Sequence, residues 1–306
     1  MIDFRTLRFG VEVECTGQTR EKVAAAIQSV VGGAVAYIGA QGSLDPWEVT
    51  DRSNRKWRVV SDASLTDAPA NLRAEVVTPI LSYEDIPELQ EVIRAVRRAG
   101  ARATDSCGCH LHVSGDLFTG RTLGNLLKIF YRQQEIIIQA FGVRSDRLAK
   151  YTKRIDSALI KKIETEHPET IADMNTLWFG SYTPNPQHYH PSRYSILNLA
   201  SLYQHGSVEF RGANSSLHAG MIRAYIVFSL ALVAKALNSK RACGKPRKYD
   251  PRSAKFDFRV FAAIGLGLMG DEFKTVRRNL LQNLPGDSAW KYGRPKLCAV
   301  GKKEVK

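Results

Sequence analysis

Near its start the chain alternates apolar and polar positions, and Phe4–Cys15 (FRTLRFGVEVEC) predicts a strand. Thr19–Val31 switches to helical spacing before Gly32-Gly33 stops it. Lys56–Val60 (KWRVV) and Arg73–Thr78 (RAEVVT) predict a strand pair joined by a loop holding Asp62, Ser64 and Pro69; Pro79 ends the second strand. Tyr83–Arg98 predicts a helix closed by Gly100, Cys109–Val113 (CHLHV) a strand between glycines, and Thr122–Phe141 a long helix with one apolar face. Positions 143–190 yield only a short helix near Asp156–Glu166 and a loop rich in Pro, His and Tyr (YTPNPQHYHP). Two further strands follow at Tyr194–Leu199 and Ser207–Gly212, then a buried helix from Leu217 to Leu237. Beyond Ser239 comes a Pro/Lys/Arg linker read as an exposed loop, then a helical stretch over Phe258–Leu284. Strands arriving in pairs with helices between the pairs predict an α+β fold: a mainly antiparallel sheet backed by helices.

The candidate chemistry lies in a repeated strand pattern. Residues i and i+2 of a strand share a face. Glu12 and Glu14 therefore point one way, opposite Val11, Val13 and Cys15; His110 and His112 do the same opposite Cys109, Leu111 and Val113. Glu209 and Arg211 pair likewise opposite Val208 and Phe210, and Glu75 stands alone in RAEVVTP. One such pair is ordinarily a wet sheet face. Three on separate strands of one sheet gather carboxylates, imidazoles and a guanidinium, a set that coordinates cations or forms ion pairs when buried. Glu and His donors without cysteine suit Mg²⁺ or Mn²⁺ rather than structural zinc. A zinc reading of Cys107, Cys109, His110 and His112 requires a turn at Gly108, because extended backbone sends the cysteines away from the histidines. The histidines of HYHP, 188 and 190, carry no assigned role.

Composition narrows the class. The 306 residues are 44% hydrophobic and 24% charged, which excludes collagenous, low-complexity and wholly disordered chains. The start, MIDFRTLRFG, lacks a secretory pattern, and five cysteines do not suggest a disulfide framework. The apolar stretch AYIVFSLALVA falls short of the ~20 residues of a membrane span. A cytoplasmic protein without membrane attachment is the expectation. Net charge is +14, of which +11 falls from Asn238 onward. A basic segment draws nucleic acid or another acidic macromolecule, or simply solvates the surface.

In order, FGVEVE, SDASL, AEVVTP, CGCHLHV, RYSILNL and SVEFRG resemble the amidoligase family of the carboxylate–amine ligase superfamily, which also holds glutamine synthetase and glutamate–cysteine ligase. The resemblance covers roughly residues 8–235, which implies a catalytic domain over 1–237 and a basic segment over 238–306, packed on it or appended to it. It implies a curved antiparallel sheet of glutamine synthetase-like type, ATP entering from one side, and Mg²⁺ or Mn²⁺ on the polar face. Carried across residue by residue, it implies that Glu12, His110 and Glu209 surround the metal nearest the transferred phosphoryl group. Glu14 and Glu75, with Asp62, would hold a second metal beside the carboxylate substrate. Arg211 would neutralise phosphate, while His112, Arg193 and Asn198 match positions that contact nucleotide or acyl phosphate. The implied activity is ATP-dependent amide-bond formation through an acyl phosphate. A metal-dependent hydrolase or nuclease using the same Glu/His cluster, and a non-catalytic nucleic-acid-binding protein, are the alternatives the residues leave open. The acid, the amine and the oligomeric state are not legible in the sequence.

Overall fold

The computed structural model describes residues 1–39 and 45–294; the end of the expected basic segment, 295–306, lies outside the described residues. Eight strands form one sheet: β1 (Phe9–Thr16), β2 (Ala34–Tyr37), β3 (Trp47–Thr50), β4 (Lys56–Val60), β5 (Arg73–Val77), β6 (Gly108–Ser114), β7 (Leu197–Asn198) and β8 (Ser207–Asn214). Their spatial order is β2-β3-β4-β5-β1-β6-β8-β7, and every neighbouring pair is antiparallel. The expected α+β class with an antiparallel sheet is what the molecule adopts. The first strand enters late: Phe4–Thr6 is a 3₁₀ turn capped by Asp3, and pairing starts at Phe9.

One sheet face is apolar, lined by Val11, Val13 and Cys15 of β1, Trp57 and Val59 of β4, Val76 of β5, and Cys109, Leu111 and Val113 of β6, all essentially inaccessible. Four helices cover it: α1 (Arg20–Val31), α2 (Ile86–Arg98), α3 (Gly120–Phe141) and α8 (Ala219–Asn238). α1 buries Val23, Ala24, Ile27 and Val31, the spacing that predicted it, against β3, β4 and β5. Its exit needs Gly33, at φ +75°, where a Cβ would collide with the Thr50 carbonyl oxygen. The α8 helix is 20 residues long, longer than the apolar stretch within it; its burial between β6, α2 and α3 accounts for its hydropathy.

The remaining helices are short: α4 (Ser145–Lys150), α5 (Ser157–Glu166), α6 (Ile171–Phe179), α7 (Ala200–His205), α9 (Ala254–Val260) and α10 (Lys274–Leu281). The strand expected over Tyr194–Leu199 shrinks to Leu197–Asn198, because Pro191–Tyr194 forms a 3₁₀ turn and the Asn198 side chain accepts the Ala200 N–H to start α7. Residues 239–252 form a largely exposed loop without helix or strand, as expected. They run as a strap along α3, pinned by Asn125 and Arg132, and lead into α9 and α10, whose Phe258, Val276 and Leu280 join the main core.

Candidate functional site

Register builds the floor of the site. Glu12 of β1 lies across from His110 of β6, Glu14 across from Glu75 of β5, and His112 across from Glu209 of β8; Asn198 of β7 is the next neighbour of Glu209. Between Cys109 and Leu111 the β6–β8 register shifts, so that Arg211 and Gly212 together face His110. Such a bulge re-aims side chains. Here Arg211 folds back onto Glu209, with Nη1 at 2.5 Å from Oε1.

The side chains form two triads that share His110. Its Nδ1 is 3.1 Å from Glu12 and 3.6 Å from Glu209, and its Nε2 is 3.8 Å from Glu14. In each triad, Glu12–His110–Glu209 and Glu14–Glu75–His110, one donor atom from every residue lies within 4.8 Å of the others. A neutral imidazole ligates through one nitrogen and carries a proton on the other, so His110 can bind a metal on one side while donating a hydrogen bond on the other. Around it, His112 Nε2 is 3.4 Å from Glu12, its Nδ1 reaches Ser207 at 2.9 Å, and Asn198 donates to Glu209 at 2.7 Å.

Electrostatics divide the two triads. Burial pushes Glu12 up, but hydrogen bonds from both histidines outweigh it and hold this carboxylate well below its usual range. Glu209 is likewise lowered, burial being overcome by Arg211 and the histidines. The other end is frustrated. Glu75 is driven well above its usual value by burial and then by repulsion from Glu12, Glu14 and Asp62, and Glu14 is raised chiefly by burial. Carboxylates that repel one another out of water are what a hard divalent cation relieves. The donor chemistry therefore fits Mg²⁺ or Mn²⁺ at either triad, with His110 a ligand to one ion and the carboxylates Glu14 and Glu75, or Glu12 and Glu209, holding the other.

The cysteines do not join. Cys15 and Cys109 sit on the apolar face, their thiols pushed up by burial, Cys15 to about 12. Cys107 is buried against Thr104. No metal-ligating group among the described residues includes a cysteine, so the zinc reading has no geometry behind it.

The cleft above this floor encloses about 380 Å³. Asp62 lines it from the β4–β5 loop but belongs to neither triad; its Oδ1 accepts the Ser64 N–H at 2.6 Å. Arg193 stands on the opposite wall, its guanidinium 5.4 Å from the Tyr189 ring and donating to the His188 carbonyl. This arrangement fixes the HYHP loop, so His188 becomes part of the cleft wall, whereas His190 packs on Phe179.

Sequence reasoning missed Arg147 of α4. It is 5% exposed, lines the cleft beside Glu14, and donates to the Ser106 carbonyl at 3.2 Å. Gly108 makes room for it, since a Cβ there would come within 2.3 Å of the guanidinium. The Nε atoms of Arg147 and Arg211 are both buried without a protein partner among the described residues. Both guanidinium groups also line the cleft, and as cations there they suit an anion. The only trace of Arg147 in the sequence is an arginine in a six-residue helix, too short for periodicity to register.

No curated protein matches the chain by sequence. Among solved structures, a bifunctional glutathione synthetase from Pasteurella multocida is similar over 92% of this chain and 47% of its own, at 14% identity and a TM-score of 0.40; this chain spans about half that protein's length. The family described as "Putative amidoligase enzyme" matches residues 5–233, which include every strand of the sheet and both triads. That match covers most of the chain, and the chain belongs to the amidoligase family.

Proposed function

We propose that the chain joins a carboxylate to an amine at the expense of ATP, through an acyl phosphate, with Mg²⁺ or Mn²⁺ held by the two triads on a glutamine synthetase-like sheet. The observation that carries this reading is the pair of triads sharing His110 on the floor of one cleft, within a chain of the amidoligase family. A carboxylate resists amines because its oxygen is a poor leaving group; phosphorylation makes phosphate the leaving group, and the amine nitrogen then bonds to the acyl carbon. Phosphoryl transfer rests on positioning and charge neutralisation.

Bound at the triads, divalent ions would neutralise phosphate oxygens and orient the reactants. The chain's own residues do the rest. Glu12, Glu209 and His110 would hold the ion nearest the phosphates, and Glu14 with Glu75 the ion beside the acid, Asp62 lying close to that end. Arg211, kept charged by Glu209, presents a buried guanidinium to the transferred group. Arg147 is suited to hold the carboxylate of the acid, since its guanidinium lines the cleft at the Glu14 end. His112 and Asn198 brace Glu12 and Glu209, and Arg193 with its tyrosines walls the nucleotide side. The acid and the amine are small carboxylate and amine compounds or macromolecular side chains.

The test is nucleotide turnover over a panel of acids and amines. ADP and phosphate should appear only with Mg²⁺ or Mn²⁺, and Glu209→Ala or Glu14→Ala should reduce the rate at least ~100-fold with the fold retained. Release of AMP and pyrophosphate would rule out the acyl phosphate. Metal-dependent cleavage of nucleic acid without ATP would replace this reading with a hydrolase.

A further inference from the structure

A second polar pocket lies away from the cleft, between α3, the α5–α6 turn and the strap. It encloses about 230 Å³ and is lined by Arg121, Asn125, Lys128, Lys240 and Arg241, with His167 at its edge. Four of these side chains are basic, and Glu169, 3.9 Å from Arg121, is the one carboxylate in the lining. Like charges gathered in a concavity repel unless an anion joins them.

The concavity is built into the fold. Asn125 is 1% exposed and grips the strap on both sides of the basic pair, donating to the Ser239 carbonyl at 2.7 Å and accepting the Ala242 N–H at 3.0 Å. Arg121 donates to the carbonyl of Lys240. The backbone between the two grips carries Lys240 and Arg241, and it is thereby fixed over α3. Lys128 supplies the second observation. It is 8% exposed, yet its ammonium makes no hydrogen bond or ion pair among the described residues. Burial pushes its pKa down, only partly offset by Glu164. The buried part is the aliphatic stem; the ammonium opens on the pocket without a protein partner, which leaves its hydrogen bonds to whatever occupies the pocket.

We infer that this pocket is a binding site for a small phosphate-bearing anion, with Lys128 at its base and Arg241, Lys240 and Arg121 closing around the phosphate oxygens. A multiply charged oxyanion matches several cations at once, which a single carboxylate does not. The pocket's size excludes a nucleic-acid duplex as a whole. The inference is independent of the ligase reading, because no residue of the cleft takes part.

The experiment is calorimetric titration of the full chain with pyrophosphate at physiological salt, with chelator present so that metal-assisted binding in the cleft is suppressed. Saturable one-to-one binding is expected, weakened at least ~10-fold by Lys128→Met and by Arg241→Ala. Arg97→Ala, which removes an exposed arginine elsewhere on the basic surface, should leave it unchanged. Lys128→Met should also unfold at the same or a higher temperature without ligand, since it keeps the buried stem filled and removes one of four crowded like charges; a merely structural lysine would give the opposite shift. Arg241 is exposed, so its variant tests the site without touching the core. Absence of saturable binding, equal weakening by Arg97→Ala, undiminished binding in both pocket variants, or binding of an oligonucleotide but not of pyrophosphate would each overturn the inference.

Discussion

At the scale of single residues, the distinctive position is Glu75. Four neighbouring glutamates share a floor with two histidines and Arg211, and the strain of that arrangement falls on the acid with the fewest cationic neighbours. Glu75 and Glu14 hold protons more tightly folded than unfolded, where a glutamate titrates at about 4.3. In the metal-free protein the folded state therefore takes up protons first as pH falls. Stability should rise from pH 8 as pH drops through their raised values, the gain being complete at the unfolded value. Glu12 and Glu209 have the opposite sign. Their stabilisation is present above the unfolded value and is lost as pH falls through their depressed folded values. Thermal denaturation against pH should thus show a maximum on the acid side of neutrality, flattened by Mg²⁺. Glu75→Gln should raise the metal-free Tm at pH 8 by roughly 2–4 °C, the equivalent of about 1 kcal/mol, and weaken the binding of Mg²⁺ or Mn²⁺. A lower Tm at pH 8 would show that Glu75 is a structural acid rather than a frustrated ligand.

Among the elements, the β3–β4 hairpin has a single keystone. Asp51 accepts the backbone N–H groups of Ser53 and Arg55 at 2.8 Å, the Arg55 side chain at 2.9 Å and the Trp57 indole at 3.2 Å. Arg55 continues to Asp85 and Glu88, tying the hairpin to the start of α2. Asp51→Ala leaves the buried Trp57 indole and three part-buried donors unmatched, and a loss of about 2–4 kcal/mol is expected in denaturant unfolding. A loss below about 1 kcal/mol would mean that water replaces the carboxylate. This hairpin also shows where sequence reading stops. β4, β5, β6 and β8 were legible because one face of each is fully buried, and that enforces alternation. β2 is an exposed edge strand of four residues, and β3 has only Glu48 and Val49 buried, so neither carries a period. α4 and α7 escaped because six residues are too few for a helical stripe. The site was legible for the same reason as the inner strands: H-x-H and E-x-E report a shared face. Arg147, His188 and Tyr189 were not, because loops and short helices bring them in by tertiary packing alone.

At the scale of the whole molecule, the question is whether the segment after Asn238 is an appendage or part of the folding unit. Among its described residues most basic side chains are exposed or half-buried, whereas several apolar ones are buried. Phe258 stacks on Phe228 of α8 with ring centroids 5.8 Å apart, Phe273 packs on Phe4 at 5.9 Å, and Leu268, Val276, Leu280 and Leu284 are at most 2% exposed. The start of the chain is tied to the same region, since Ile2 and Asn238 exchange two hydrogen bonds of 2.7 Å. Each fully buried side chain of this size contributes about 1.5–3 kcal/mol. The six named here together are of the same order as the ~5–15 kcal/mol by which a protein is stable. Ending the chain after Asn238 would also uncover the α3 and α8 surfaces they cover, a contiguous apolar patch of the kind that aggregates. Residues 1–238 alone are therefore expected to be insoluble, or to lack a cooperative thermal transition, although they contain every strand and both triads. Cooperative unfolding of 1–238 within a few degrees of the full chain would instead make the C-terminal helices an appendage, with the family's own span sufficient to fold.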